Sequence, residues 1–210
     1  MKYILCILIG YLVGTINPSY IIAKIRGFDI RERGSKNAGA SNALILFGKV
    51  LGIGCALFDI IKATLTIWLC GILFPELAFS FAVTGVACVV GHVFPFYMKF
   101  RGGKGLACLG GMILAFDWRV FLIMLAAEIF VAIATDFICF VPLTASVVFP
   151  IVYGVLRRDL YGALILCILI PLIIYKHKEN LKRIKQKTEM PFSYLWNKDK
   201  ALAKTNIPRE

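Results

Sequence analysis

The chain has 210 residues, of which 60% are hydrophobic and 17% are charged, and its mean hydropathy is +0.81. This apolar share exceeds the roughly 45–50% that is usual in soluble domains, so we predict an integral membrane protein and exclude a disordered acidic chain. The formal net charge of +12 favours contact with anionic lipid headgroups or phosphorylated substrates over binding to nucleic acid.

Successive apolar runs divide the chain, and we interpret each run as a membrane-spanning helix. The runs cover 3–23, 51–73, 77–98, 105–116, 118–134, 137–156 and 160–175. The fourth is short for a crossing, and its boundary with the fifth, near Asp117 and Arg119, stays open. We therefore predict an all-α fold with seven transmembrane helices over residues 1–189, followed by a polar cytoplasmic tail over 190–210.

Lysine and arginine indicate how these spans are oriented. Most basic residues fall within 24–36, within 99–104 or within 176–209, and with seven spans these three regions share one side of the membrane. Short loops rich in lysine and arginine are typically cytoplasmic. The N-terminus is therefore expected outside and the C-terminus inside. The seven cysteines all lie in apolar runs without ligand spacing, so we expect packing roles, no metal and no cofactor.

Three polar segments interrupt the apolar pattern, all on the predicted cytoplasmic side. The first, over 34–42, reads GSKNAGASN and leads into a helix. Small residues allow sharp turns, and the free N–H groups at a helix start can bind an anion. For this segment alone, a turn capped by Ser41 or Asn42 is the simpler interpretation.

The second segment reads GHVFP over 91–95 and KFRGGKG over 99–105. Glycines around a lysine suit a phosphate, because backbone amides can approach it while the lysine neutralises its charge. It is not a Walker A loop, since Met98 and Gly105 stand where a glycine and a serine or threonine are required. A positively charged anchor beside a flexible hinge is the alternative.

The third segment reads HKENLKR over 177–183 and ends near Glu189. Helical spacing places His177, Asn180 and Leu181 on one face. His177 can accept a proton near neutral pH, and Asn180 can both donate and accept hydrogen bonds. A basic helix that binds anionic lipid would have a similar sequence.

Asp59 and Lys62 stand one helical turn apart inside the second predicted span. Ionisable groups at such depth are costly, so they can mark a functional site. Their spacing also suits a stabilising ion pair, and both interpretations stay open.

Together, the three segments resemble the bacterial acyl-phosphate:glycerol-3-phosphate acyltransferases of the PlsY family, and the likeness extends through Glu189. The resemblance implies an enzyme of the bacterial inner membrane with its active site facing the cytoplasm. Its substrates would be acyl phosphate and glycerol 3-phosphate, and its products lysophosphatidate and phosphate. Membrane lipid is the other expected contact, with no nucleic acid, and protein partners are not indicated.

The resemblance also assigns roles to individual residues. Catalytic roles are expected for Ser35, Lys104, His177 and Asn180. Substrate binding is expected for Asn37, Gly39, Asn42, Lys62, His92, Gly102 and Gly103. Structural roles are expected for Asp59 and Glu189. In our hypothesis Lys104 neutralises a phosphate, Ser35 and loop amides polarise the reacting groups, and His177 orients or deprotonates the hydroxyl. An oxygen of the donor phosphate could take that proton instead.

Two positions depart from the family pattern. Ile45 replaces a usual arginine, and Lys36 or Lys49 could compensate for the lost cation. Lys187 replaces a usual glycine, so we expect the turn before Glu189 to differ.

Two other functions stay open from the sequence. One is a transporter or channel for small phosphorylated anions, which buried Asp59 and Lys62 would suit. The other is a catalytically silent relative that binds lipid, which the change at Ile45 would suit. The histidine and aspartate pair that acyl-CoA enzymes space five residues apart is missing, because Tyr97 follows His92 and Lys182 follows His177 at that distance.

Overall fold

The computed structural model describes residues 1–195, Asn197 and Thr205, and the regular structure of these residues is entirely helical. The predicted all-α class is therefore confirmed. The α-helices are α1 (Lys2–Thr15), α2 (Pro18–Ile25), α3 (Ala40–Phe47), α4 (Lys49–Leu73), α5 (Ser80–Val93), α6 (Leu106–Phe116), α7 (Trp118–Thr135), α8 (Phe140–Arg157), α9 (Leu160–Leu166) and α10 (Leu169–Lys185). Short 3₁₀ helices cover Ile30–Glu32, Phe96–Met98 and Phe192–Leu195.

Among the described residues, six segments are long and apolar enough to cross a membrane. They are Lys2–Ile25, Lys49–Leu73, Ser80–Met98, Trp118–Thr135, Phe140–Arg157 and Leu160–Lys185. The remaining predicted span is α6, which has 11 residues. At 1.5 Å per residue it extends about 16 Å, roughly half of the hydrocarbon core.

The first predicted span is interrupted between α1 and α2. Pro18 begins α2, and the side chain of Asn17 accepts a hydrogen bond from the N–H of Tyr20 at 2.9 Å. Asparagine followed by proline is a typical helix start, because the asparagine satisfies a free N–H and proline has none to satisfy. The Asn17 amide also donates to the carbonyl of Ala38 at 2.9 Å, so the interruption is tied to the first polar segment.

The boundary between α6 and α7, which the sequence left open, falls at Asp117. This residue has an extended backbone, and its carboxylate accepts hydrogen bonds from the N–H groups of Arg119 at 2.7 Å and Val120 at 3.3 Å. The carboxylate thus caps α7 and favours a new helix there.

Glycines allow the central helices to pack at short distances. A Cβ atom at Gly14 of α1 would lie 2.2 Å from the Cys88 carbonyl oxygen of α5, and one at Gly111 of α6 would lie 2.2 Å from the Ile60 carbonyl oxygen of α4. Small residues at helix crossings are a common basis of helix association in membranes. This packing fixes the end of α5, from which the second polar segment begins.

The C-terminal part of the described chain packs against the end of α7. Ser193 donates to the carboxylate of Asp136 through its N–H at 2.7 Å and its hydroxyl at 2.9 Å. Most of the predicted tail over 190–210, including Trp196, lies outside the described residues.

Candidate active site

Asn42 organises the first polar segment from within. Its buried side-chain amide donates to the backbone carbonyls of Ile30, Arg33 and Asn37 at 2.9, 3.0 and 2.9 Å. Its carbonyl oxygen accepts the N–H of Ser35 at 2.8 Å. One asparagine therefore fixes the path of the loop, as buried side-chain amides with several partners commonly do.

The other predicted residues of this segment differ in their exposure to solvent. Ser35 is exposed, Asn37 is half-buried and Gly39 is buried at the start of α3. Gly34 has φ 59°, and a Cβ atom there would lie 2.3 Å from the side-chain oxygen of Asn42. Glycine is therefore required at 34 for both conformation and space, and the turn presents the Ser35 hydroxyl to solvent.

Gly102 and Gly103 bring the second segment close to the end of α5. The N–H of Gly102 donates to the Val93 carbonyl at 3.0 Å, and the N–H of Gly103 donates to the His92 carbonyl at 3.1 Å. A Cβ atom at Gly103 would lie 2.0 Å from His92 Nε2. These amides are thus engaged within the protein, and the glycines act by allowing this close approach.

Lys104 joins the second polar segment to the third. Its ammonium donates to the side-chain oxygen of Asn180 at 2.5 Å, and the Asn180 amide donates to Glu189 at 2.6 Å. The other carboxylate oxygen of Glu189 accepts from Arg183 at 2.5 Å. Glu189 therefore holds Asn180 in the orientation that receives Lys104.

The environment of Lys104 favours anion binding. Burial lowers the pKa of its ammonium to about 8, and the nearby Arg183 guanidinium lowers the pKa further while Glu189 opposes the shift. An ammonium has three hydrogens, and among the described residues Asn180 is its hydrogen-bond partner. Two hydrogens can therefore reach a bound phosphate, whose charge would offset the cost of burial.

His177 lies on the buried face of α10, one turn before Asn180. Its Nδ1 atom is 2.9 Å from the carbonyl oxygen of Ile173. A carbonyl can only accept, so Nδ1 carries the proton of the neutral ring and Nε2 keeps its lone pair. This tautomer can accept a proton, or a hydrogen bond from a hydroxyl, at Nε2.

Asp59, Lys62 and His92 form a separate buried cluster. The Lys62 ammonium lies 2.6 Å from an Asp59 oxygen and 3.3 Å from His92 Nδ1, and it donates to the Ile16 carbonyl at 2.5 Å. Asp59 is 1% exposed and Lys62 6%. The ammonium is thus paired inside the protein with the Asp59 carboxylate and the Ile16 carbonyl. This pairing favours the ion pair over a functional site, the two interpretations that the sequence left open.

The same cluster does not fit a metal ion. Asp59, His92 and Cys108 offer ligand atoms within 4.8 Å of one another. However, the Lys62 ammonium already pairs with the Asp59 oxygen that also faces His92. A divalent cation there would be repelled by this ammonium.

The two departures from the family pattern, Ile45 and Lys187, lie in different environments. Ile45 is 62% exposed on α3, and both Lys36 and Lys49 are also exposed. Lys187 has φ 57°, the left-handed conformation that glycine adopts most readily. The expectation that the turn before Glu189 differs therefore finds no support at Lys187, whose backbone keeps a conformation suited to glycine.

Sequence reasoning missed three residues beside the site. Asn17 links the break in the first span to the first segment. Asp29 pairs with Arg31, which lowers the pKa of the Asp29 carboxyl to about 2 through their side-chain hydrogen bonds. The Asn17–Pro18 pair is a helix-start signal that could have revealed the break. Arg31 also donates to the carbonyl of Arg101 in the second segment, and nothing in the local sequence indicates this contact.

The comparisons with known proteins agree with this architecture. The family model described as glycerol-3-phosphate acyltransferase matches residues 4–187. Glycerol-3-phosphate acyltransferase 1 of Oceanobacillus iheyensis is 39% identical, over 94% of this chain and 99% of the relative. The Bacillus subtilis glycerol-3-phosphate acyltransferase is 34% identical, over 93% of this chain and 100% of that protein.

Two crystal structures of the integral membrane acyltransferase PlsY have the same fold. The glycerol 3-phosphate form has a TM-score of 0.83 and 28% identity, covering 93% of this chain and 98% of that one. The lysophosphatidic acid form has a TM-score of 0.79 and 27% identity, covering 93% and 97%. The chain belongs to the glycerol-3-phosphate acyltransferase family, and the predicted PlsY-type membrane acyltransferase is confirmed.

Proposed function

We propose that this enzyme transfers a fatty acyl group from acyl phosphate to the 1-hydroxyl of glycerol 3-phosphate at the cytoplasmic face of the bacterial inner membrane. One observation carries the proposal. Lys104 is held by Asn180, and Asn180 by Glu189, which joins two polar segments 76 residues apart into one site with an available cation. Both substrates carry a phosphate that such a cation can neutralise.

The reaction needs orientation and charge stabilisation more than activation of the donor. The glycerol hydroxyl oxygen forms a bond to the acyl carbonyl carbon, the bond between that carbon and the bridging phosphate oxygen breaks, and inorganic phosphate departs. Because an acyl phosphate is a mixed anhydride, holding two anions together and stabilising the departing charge supplies most of the catalysis. Lys104 would bind the acceptor phosphate and the exposed Ser35 would contact the reacting groups.

The hydroxyl proton has two possible acceptors. Nε2 of His177 has a free lone pair, because Nδ1 donates to Ile173. An oxygen of the donor phosphate could accept the proton directly, which would leave His177 as an orienting group. Replacing His177 with Gln separates the two, since Gln can hold a hydroxyl but cannot take its proton. Proton transfer to His177 predicts a loss of about a hundredfold in turnover for this variant, whereas transfer to phosphate predicts a much smaller loss.

We place seven crossings in the membrane, with the N-terminus outside and the C-terminus in the cytoplasm. The six long segments account for six of these crossings and α6 would be the seventh. The distribution of basic residues supports this arrangement. The short helix α6 begins directly after the loop over 102–105, so its crossing would start with a loop that lies partly within the membrane. Such irregular backbone is tolerated where protein surrounds it, as the buried Gly102 and Gly103 indicate.

An apolar groove of about 600 Å³ beside the first segment is suited to the acyl chain of the donor. Its lining residues are Ile16, Tyr20, Ile21, Lys24, Ile25 and Tyr97. The Arg31 guanidinium lies 5.1 Å from the Tyr20 ring. The preceding residue, Ile30, accepts a hydrogen bond from Asn42 of the first segment, so the groove wall lies close to that segment. A hydrocarbon chain in this groove would leave its phosphate near the cytoplasmic loops.

The transporter alternative depended on Asp59 and Lys62 as part of a path for anions. Both charges are buried and paired with each other, so they do not line an open path for anions. Anion transport is therefore not supported by this part of the protein. The silent-relative alternative depended on Ile45, and an assay of activity decides it.

The test is turnover by purified protein in lipid nanodiscs. Long-chain acyl phosphate and glycerol 3-phosphate should give lysophosphatidate and phosphate in equal amounts, whereas acyl-CoA of the same chain length should give no product. Product formation from acyl-CoA at a comparable rate would contradict the proposed donor. No product from either donor, with the protein folded, would favour the silent relative.

A further inference from the structure

The loop that leads to Lys104 contains an unfavourable backbone conformation. Lys99 and Phe100 are consecutive residues with φ 54° and 57°, and neither is glycine. A side chain disfavours this left-handed region, so the surrounding structure must hold such residues in place. Because Gly102, Gly103 and Lys104 follow immediately, any relaxation of this pair would move the lysine.

Arg31 binds the backbone on both sides of the strained pair. Its Nη1 donates to the carbonyl of Met98 at 2.5 Å and approaches the carbonyl of Arg101 at 3.4 Å. Met98 precedes the two left-handed residues and Arg101 follows them. Charge-assisted hydrogen bonds to backbone carbonyls are stronger than neutral ones. The guanidinium is thus placed to hold the loop across its strained part.

Asp29 fixes the direction of this guanidinium. It accepts Nε of Arg31 at 2.9 Å and Nη2 at 2.6 Å, one through each carboxylate oxygen. The two side chains are only 15% and 12% exposed. A paired fork of this kind depends on the planar guanidinium, and a lysine ammonium cannot reproduce it.

The residues beside Arg31 are hydrogen-bonded to the first polar segment. The carbonyl of Ile30, directly before Arg31, accepts the buried amide of Asn42. Asn42 also accepts the N–H of Ser35. Arg31 therefore connects the structure that positions Ser35 with the loop that positions Lys104.

We infer that Arg31, directed by Asp29, is a positioning residue for acyl transfer, which holds the loop before Lys104 in register with the first polar segment. Arg31 acts on the substrates through Lys104 and its loop. The inference rests on the proposed binding of the acceptor phosphate by Lys104.

Steady-state kinetics of the full-length protein in nanodiscs test this role through Arg31→Gln, Arg31→Lys and Asp29→Asn. Loss of a charge-assisted hydrogen bond predicts a KM for glycerol 3-phosphate that is about tenfold to a hundredfold higher in both Arg31 variants. Asp29→Asn should change this KM in the same direction by less. The KM for acyl phosphate should stay within about twofold of wild type. General loss of folding would not raise the KM for one substrate and leave the KM for the other unchanged.

Arg26→Gln is the matched control, because Arg26 is an exposed arginine in the same connection whose guanidinium lies 4.8 Å from the Phe47 ring. It should leave both KM values unchanged. Thermal unfolding in the same nanodiscs monitors folding, and Arg31→Lys keeps the charge if Arg31→Gln does not fold.

Normal KM values for glycerol 3-phosphate in both Arg31 variants, alongside loss of activity in Lys104→Met, would overturn this inference alone. Normal kinetics in Lys104→Met would overturn the phosphate role of Lys104 and this inference with it.

Discussion

Two lysines in this membrane protein lie in polar clusters, and they differ in what their hydrogens bind. Lys62 is 6% exposed, and its ammonium contacts a carboxylate, a backbone carbonyl and a histidine. Lys104 is half-buried and donates to Asn180. Removing a cation that is paired inside the fold leaves a buried charge unpaired and so destabilises the protein, whereas a cation with hydrogens left over can bind a substrate anion.

The two clusters are nevertheless connected. His92 belongs to the Lys62 cluster through Nδ1. Its other ring nitrogen, Nε2, lies so close to Gly103 that a Cβ atom there would be only 2.0 Å away. The buried cluster therefore packs against the loop at Gly103, and Lys104 follows directly in the chain. This comparison predicts that damage to the first cluster lowers stability and damage to the second lowers activity.

The largest expected effect is on folding, from Lys62→Met. The substitution leaves the buried Asp59 carboxylate without its cation, which should lower the free energy of unfolding by about 3–5 kcal/mol. Chemical denaturation in detergent micelles measures this change. The double variant Asp59→Asn/Lys62→Met removes both charges and should recover much of the loss. A double variant as unstable as the single one would show that the charge pairing is not what stabilises the cluster.

The next effect is on catalysis, from Lys104→Met. If Lys104 neutralises a substrate phosphate as proposed, its removal should lower kcat/KM for glycerol 3-phosphate by about a hundredfold to a thousandfold. The thermal unfolding midpoint should fall little, because burial of this ammonium is unfavourable in the free protein. Lys99→Met is the matched control, since Lys99 is an exposed lysine of the same loop. Equal losses in both variants would argue against a specific role for Lys104.

The pH dependence gives a smaller but diagnostic effect. The Lys104 ammonium has a pKa of about 8, and only its protonated form attracts phosphate. kcat/KM for glycerol 3-phosphate should therefore be level well below pH 8, fall to about half of that level near pH 8, and fall by about tenfold per pH unit at higher pH. Lys104→Arg keeps its charge throughout this range and should remove that decline. The same decline in the arginine variant would assign it to another group.

The smallest expected effect concerns the turn that presents Glu189. Lys187 has a left-handed backbone with φ 57°, so Lys187→Gly should raise the free energy of unfolding by about 1 kcal/mol. Lys182→Gly, within α10, is the control and should lower it by about 1 kcal/mol. Chemical denaturation compares the two variants. Destabilisation by Lys187→Gly would mean that the lysine side chain makes a contact more valuable than the strain it imposes.

Much of the fold could be predicted from the sequence because helix length and apolarity are local properties. The predicted run 51–73 corresponds to α4, and 118–134 corresponds to α7. The break at Asn17 was missed because the few polar residues around it stand between longer apolar stretches, so the mean hydropathy over Lys2–Ile25 stays high. The number of crossings could not be settled by length alone, because α6 is too short to satisfy that criterion.

The candidate site was less predictable, because it depends on contacts between distant segments. The shared face of His177 and Asn180 followed from helical spacing, and both are buried on α10. That Asn180 would receive Lys104, and that Arg31 would reach the Met98 carbonyl, could not be read from local sequence. The amides of Gly102 and Gly103 were expected to approach phosphate, but tertiary packing engages them with α5.

Binding of glycerol 3-phosphate, measured by calorimetry in nanodiscs without the acyl donor, tests the difference between the two lysines most directly. We predict that Lys104→Met abolishes the binding heat, whereas the Asp59→Asn/Lys62→Met variant, where folded, binds with wild-type affinity. Normal binding by Lys104→Met, together with loss of binding by the folded double variant, would contradict the account.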